Sequence, residues 1–295
     1  MMDALGYYIF YAVNWVITLL PLRVLYVISD FTFLLLYYFP SYRRKVVAEN
    51  LKNSFPEKSD AELKSIEKKF YRHLADMFVE TVKILHLSEK ENRKRLIIKN
   101  PDLLTRLYSE GRDIIAILGH YSNWELMTIL PKLFDFQFIS VYKPLKNKYF
   151  DRLLLKFRGR YGNVLTPMSM VIREIINHKK QNIRTFTAFL SDQTPVKDDI
   201  QYWTRFLNQD TAVYLGAEKI ARKYGMAVIF LNYRKVSRGY YSITYELICD
   251  NAAELPEYMV TEAHIRRLEE IIREKPEYWI WSHRRWKHNR EQTNG

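Results

Sequence analysis

The chain has 295 residues, enough for one ordinary domain with a sizeable core or for a domain plus an anchor. Lys and Arg number 46 against 33 Asp and Glu, a formal charge of +13 that favours an acidic partner such as anionic lipid, phosphate, nucleic acid or an acidic protein. Cys249 is the one cysteine, which excludes an internal disulfide and a cysteine-based metal cluster, and the seven histidines are scattered rather than grouped as ligands.

Residues 4–39 are the most apolar part. Ala4 to Leu20 carries no charge, Val24 to Phe39 carries only Asp30, and Pro21-Leu22-Arg23 divides them. Each half is roughly 16 residues, at the short end of what spans a bilayer. No basic n-region or small-residue cleavage site marks a cleaved signal. The basic run Tyr42-Arg43-Arg44-Lys45 places the remainder of the chain on the cytoplasmic side. The expectation is an uncleaved anchor over 1–42, as a spanning helix or an interfacial hairpin, with a catalytic domain over 43–295. A pair of core helices is the alternative. The aromatic content, 15% of residues with 22 Tyr, suits a membrane interface.

The spacing predicts helices over 43–54 and 59–87, the second with Leu63, Ile66, Phe70, Leu74, Met77, Phe78 and Leu85 on its apolar face. Ile97-Ile98 begins a short strand, and Pro101-Asp102 suits a helix start. Asp113 to Leu118 reads as a buried strand. It runs into Gly119-His120-Tyr121-Ser122-Asn123-Trp124-Glu125, and then into a short helix that kinks or stops near Pro131.

A histidine thus sits at the carboxyl end of a strand, where open α/β sheets hold ligands. Within one helix a five-residue separation is about 500° of rotation, so the two side chains would diverge. With His120 in the loop and Glu125 in the helix, the chain can fold back and bring carboxylate to imidazole. A carboxylate on one ring nitrogen sets the tautomer and frees the other to take a proton from a hydroxyl. The plain alternative is that Ser122-x-x-Glu125 is a capping box and His120 an ordinary loop histidine.

Phe136 to Val141 reads as a strand closing at Tyr142-Lys143-Pro144. The next helix, from Asn147 to Tyr161, carries Arg152, Lys156, Arg158 and Arg160; a charged helical face of this kind is usually solvated. Met168 to Lys180 reads as a helix, Thr185 to Leu190 as a strand leading into Asp192-Gln193, Ala212 to Tyr224 as a helix, Ala227 to Tyr233 as a strand, and Tyr240 to Ile248 as an antiparallel strand. The alternation predicts an α/β fold with a mixed, mostly parallel sheet flanked by helices. Glu257 to Lys275 is amphipathic. The segment Lys275 to Lys287 interleaves aromatics with basic groups, as an interfacial membrane element or a nucleic-acid surface would. Residues 288–295 read as a frayed polar tail.

Taken together these pieces resemble the bacterial lipid A late (lauroyl/myristoyl) acyltransferases. The resemblance rests on Gly119-His120 to Glu125; on Val141-Tyr142-Lys143-Pro144; on Arg158, with Arg160 as alternate; on Asp192-Gln193; and on Pro276-Glu277-Tyr278-Trp279-Ile280-Trp281-Ser282-His283-Arg284-Arg285-Trp286-Lys287, the most specific part. Lys143 stands where arginine is usual, Arg205-Phe206-Leu207-Asn208 replaces an aromatic-glycine segment, and Lys179-Lys180-Gln181-Asn182 replaces a Gly-rich turn.

The resemblance implies a glycerolipid-acyltransferase-like fold and transfer of an acyl chain from a thioester to a hydroxyl of a phosphorylated glycolipid precursor of lipid A. His120 and Glu125 would form the general-base dyad. Tyr142, Lys143, Arg158, Asp192, Gln193, Arg284 and Arg285 would bind substrate. The donor would be an acyl carrier protein, or acyl-CoA, and the location the bacterial inner membrane with the catalytic domain facing the cytoplasm. No metal or cofactor is expected, and no nucleic-acid partner. The rival expectations are the same chemistry on an aminolipid, another glycolipid or a lysophospholipid, and a noncatalytic lipid-binding membrane protein.

Overall fold

A computed structural model describes residues 2–39, 42–84, 86–288 and 290. The amino-terminal part is helical: α1 (Met2–Leu19), α2 (Leu22–Tyr38), α3 (Arg44–Ser54), α4 (Asp60–Ile84) and the short α5 (Glu89–Arg93). α4 starts on a capping box, in which the Glu62 carboxylate accepts the Ser59 amide at 2.8 Å and Ser59 Oγ accepts the Glu62 amide at 3.4 Å. The rest alternates: β1 (Leu96–Ile98), α6 (Asp102–Ser109), β2 (Ile114–Leu118), β3 (Gln137–Tyr142), α7 (Lys148–Arg158), β4 (Val164–Pro167), α8 (Val171–Lys180), β5 (Thr185–Leu190), β6 (Tyr202–Phe206), β7 (Gln209–Val213), α9 (Gly216–Tyr224), β8 (Ala227–Ser237), β9 (Tyr240–Cys249) and α10 (Met259–Glu274).

Among the described residues the strands form a seven-stranded sheet of order β1-β9-β8-β2-β5-β3-β4, with β6 and β7 as a separate hairpin. Every pairing in the large sheet is parallel except the β8–β9 hairpin. The mixed α/β expectation therefore holds. Alternate residues of β2 feed opposite cores. Ile114, Ala116 and Leu118 pack with α6 and residues 124–132, while Ile115 and Ile117 pack with α8 and α9. A strand buried on both faces reads as an unbroken apolar run, which is why β2 was legible.

α2 buries one stripe, Leu25, Ser29, Phe33 and Tyr37, chiefly against α4. Its other faces leave Val27, Phe31, Leu34 and Leu35 exposed. Among the described residues no helix is long and apolar enough to cross a membrane, so α1 and α2 do not meet the dimensions of the spanning alternative.

Several boundaries differ from the sequence expectation. Residues Trp124–Lys132 form a 3₁₀ helix rather than an α-helical turn, with Pro131 tolerated near its end. α7 stops at Arg158, three residues early. Phe78 on α4 is exposed, and Leu85 lies outside the described residues. The expected helix start at Ala212 is strand; β7 runs through Val213 and α9 begins at Gly216. The β6–β7 hairpin was not anticipated. It turns at Leu207 and Asn208, both at positive φ (48° and 64°), the geometry of a tight hairpin turn without the Asn-Gly pair that usually signals it. Of the polar tail, residues 289 and 291–295 lie outside the described residues.

The largest correction concerns the aromatic-basic segment after α10. Trp279, Trp281 and Arg285 are all within 1% of complete burial, packed with Phe55, Phe70, Phe206 and Leu268. These three side chains are core, while Lys275, Arg284 and Lys287 of the same segment stay exposed. Asn50 on α3 donates to the carbonyls of Trp281 and His283, holding it in place.

Candidate active site

His120 lies two residues beyond β2, and Asp192 two beyond β5. The strands run in parallel with Leu118 opposite Leu190, and the register carried two residues further sets His120 beside Asp192. The Ser191 amide donates to the Leu118 carbonyl at 3.0 Å, so the two strand ends leave the sheet together. Glycine at 119 lets the strand end pass close to its neighbours, since a Cβ there would fall 2.7 Å from Leu268 Cδ1 and 3.2 Å from the Asp192 carboxylate.

The Asp192 carboxylate is fully occupied. Its Oδ2 accepts the His120 backbone amide at 2.8 Å and the Trp279 indole N–H at 2.7 Å, and its Oδ1 lies 2.6 Å from His120 Nδ1. Burial pushes the carboxyl pKa upward. Attraction to His120 and the hydrogen bonds from His120 and Trp279 outweigh that and bring it down to about 2. An ionised carboxylate only accepts, so Nδ1 carries a proton and the lone pair of the neutral ring is on Nε2. The Gln193 amide nitrogen sits 3.3 Å from Nε2, which suits that tautomer, and Trp124 packs edge-on against the ring at 4.8 Å.

Glu125 does not hold His120, contrary to the expected dyad. It is 7% exposed and grips Arg158 of α7 in a two-pronged ion pair, Nε to Oε2 at 2.9 Å and Nη2 to Oε1. Two local features account for this. Ser122 adopts φ +60°, which reverses the chain after His120, and the segment then winds as a 3₁₀ helix rather than an α-helix. A left-handed non-glycine residue costs about 1–2 kcal/mol, which the surroundings must offset. The capping-box alternative is not realised either. The Ser122 amide donates to the Tyr278 carbonyl at 2.9 Å, and among the described residues its hydroxyl has no partner. That amide is therefore not free to bind an oxyanion.

The remaining expected residues separate. Tyr142 and Lys143 lie at the end of β3, on the same rim but with β5 between them and β2; Lys143 is exposed. Gln193 joins His120. Arg285 is inside the protein, its Nη2 donating to the Ala212 carbonyl at 2.7 Å. Burial drives its pKa down to about 10 against the attraction of Asp192 and Tyr214. Arg284 is exposed and, with Lys45, Asn50, Asp210, Trp286 and Lys287, helps line a surface groove of about 830 Å³ between α3 and the carboxyl-terminal segment. A second imidazole, His283, accepts the Thr194 amide on Nε2 at 3.2 Å, and burial lowers its pKa to about 4. The cavity bounded by Trp124, Glu125, Met127, Ser140 and Arg158 measures about 20 Å³, room for a water but not for an acyl chain.

One pairing and one contributor, the His120–Asp192 contact and Trp279, escaped the sequence reading. Asp192 was placed at a strand end without being paired to His120, although equal offsets from two neighbouring parallel strands were the available signal. Trp279 carried no signal of its own as a ligand for a carboxylate 87 residues away.

An imidazole with one nitrogen fixed by a buried carboxylate and the other at a sheet rim has the geometry that general-base chemistry requires. The family model described as bacterial lipid A biosynthesis acyltransferase matches residues 1–288. The chain belongs to that family. A search of curated proteins returns no match.

Proposed function

We propose that this acyltransferase moves a fatty acyl group from a thioester to a hydroxyl of a lipid A precursor, with His120 as general base and Asp192 as the carboxylate that orients it. The observation that carries the reading is the 2.6 Å contact between His120 Nδ1 and Asp192 Oδ1, which leaves Nε2 as the proton acceptor. The acceptor hydroxyl gives its proton to Nε2 as its oxygen attacks the thioester carbonyl. The tetrahedral oxyanion collapses with cleavage of the carbon–sulfur bond, and the imidazolium returns the proton to the leaving thiolate. Arg158, held by Glu125, supplies positive charge for the oxyanion or for a substrate phosphate. Direct transfer is favoured over an acyl-cysteine because burial raises the Cys249 thiol to about 11, away from the nucleophilic thiolate.

The donor is an acyl carrier protein, whose acidity suits the +13 chain, or acyl-CoA. The acceptor is a phosphorylated glucosamine disaccharide bearing a 3-hydroxyacyl chain. The protein works at the bacterial inner membrane with its catalytic face toward the cytoplasm, and α1 and α2 lie in the interface through Val16, Val27, Phe31 and Leu34, all exposed.

The test is acyl transfer by purified protein from lauroyl-carrier protein to a lipid A precursor, alongside mass spectrometry of lipids from a deletion strain. Loss of one acyl chain from lipid A supports the reading. Loss from an aminolipid or lysophospholipid would replace the acceptor, and substrate binding without product that survives loss of His120 would point to a noncatalytic protein.

A further inference from the structure

Glu80 lies on α4, outside the strand-end site, yet its buried carboxylate collects three donors. Tyr26 Oη on α2 donates to Oε1 at 3.0 Å, while Tyr241 Oη on β9 and Asn123 Nδ2 donate to Oε2 at 2.6 Å and 2.8 Å. Asn123 is fully buried, three residues past His120 and next to the left-handed Ser122. The opposite side of this loop is held by the carboxyl-terminal segment, through the Ser122 amide on Tyr278 and the Tyr121–Trp279 bridge. The loop that aims the imidazole is thus clamped from two sides, and Glu80 supplies the second clamp.

We infer that Glu80 is a positioning residue for acyl transfer, pinning the turn after His120 through the Asn123 amide. The inference rests on the general-base reading of His120. It turns on an acceptor at the Oε2 position, because Asn123 Nδ2 can only donate, whereas the Tyr26 and Tyr241 hydroxyls can donate or accept. Glutamine keeps that acceptor when its amide nitrogen faces Tyr26, and alanine removes it. Glu80 is buried and reaches the His120 loop through Asn123, so its loss misaims the base without weakening substrate binding. Misplacement of a catalytic group by about 1 Å costs on the order of 10²-fold in rate.

The experiment measures kcat and KM with lauroyl-carrier protein and a lipid A precursor, together with thermal melting. Glu80→Ala, which leaves the Asn123 amide without its acceptor, is expected to lower kcat by on the order of 10²-fold with KM for both substrates near the wild-type value. Glu80→Gln keeps an acceptor for Asn123 and is expected to retain most of kcat. Tyr241→Phe, which removes a donor without touching the loop, lowers the melting temperature and leaves kcat near wild type. Wild-type kcat in folded Glu80→Ala, a fall in folded Glu80→Gln equal to that in Glu80→Ala, or an equal fall in Tyr241→Phe would each overturn the inference. Should Glu80→Ala not fold, Asn123→Ala removes the same bond from the loop side, and wild-type kcat there overturns it equally. If the unaltered protein transfers no acyl group, it is the general-base reading that fails.

Discussion

At the scale of single residues the chemistry turns on which carboxylate meets the imidazole. His120→Ala should lower transfer by at least ~10²-fold with the melting temperature retained, the contribution of a general base. Near-normal rates would remove His120 from the mechanism. Asp192→Asn should fall to a similar level, because an amide can present N–H to Nδ1 and favour the wrong tautomer. A stability signature accompanies it. The Asp192 carboxyl sits near 2, below its ordinary 3.8, so its contribution is complete above pH 4 and disappears as pH falls through 2. Urea melts should therefore separate wild type from Asp192→Asn at neutral pH and converge in acid. Glu125→Gln has a different expected profile. It removes the charge from a largely buried pair with Arg158, so both stability and transfer should fall, the second by less than in His120→Ala. An unchanged rate would leave Glu125 and Arg158 a structural role only.

At the scale of elements, α2 has two jobs on different faces. Leu25, Phe33 and Tyr37 are core, while Val27 and Phe31 are more than 60% exposed. Deleting residues 1–40 would thus strip core contacts along with any membrane contact. Changing Val27, Phe31 and Leu34 together to Glu isolates the outer face. This variant should stay folded and lose binding to anionic liposomes in a flotation assay. Undiminished flotation would move attachment to another surface, such as the groove lined by Arg284 and Lys287. The strand ends behave as a unit in the same way. Gly119→Ala would press a methyl on Leu268 and the Asp192 carboxylate, so it should reduce kcat while leaving the sheet intact.

At the scale of the whole molecule, interior histidines govern behaviour in acid. Burial, with Lys235 close by, lowers His73 to about 3, and burial lowers His264 and His283 to about 4. Each lies below the ordinary 6.5, so the unfolded chain binds the proton first. Their stabilisation is complete above pH 6.5 and is lost as pH falls toward 4 and 3, at about 1.4 kcal/mol per pH unit for the fully buried His73 and His264 and by less for the partly exposed His283. Denaturant melts between pH 7 and 4.5 should show this slope, and His73→Leu should flatten it. Constant stability across that range would contradict the assignment.

What the sequence by itself determined was local: the apolar runs that became β2 and β5, the amphipathic helices, the strand-end positions of His120 and Asp192, and the family through its motif order. These come from periodicity and from backbone preferences that act over a few residues. Pairing was not local. Parallel register joined His120 to Asp192 across 72 residues, a left-handed Ser122 turned Glu125 toward Arg158, and core packing drew Trp279 and Trp281 inside from a segment whose composition suited a membrane surface. The hydrogen bonds that build this site join side chains on separate elements, so they are decided by where those elements dock.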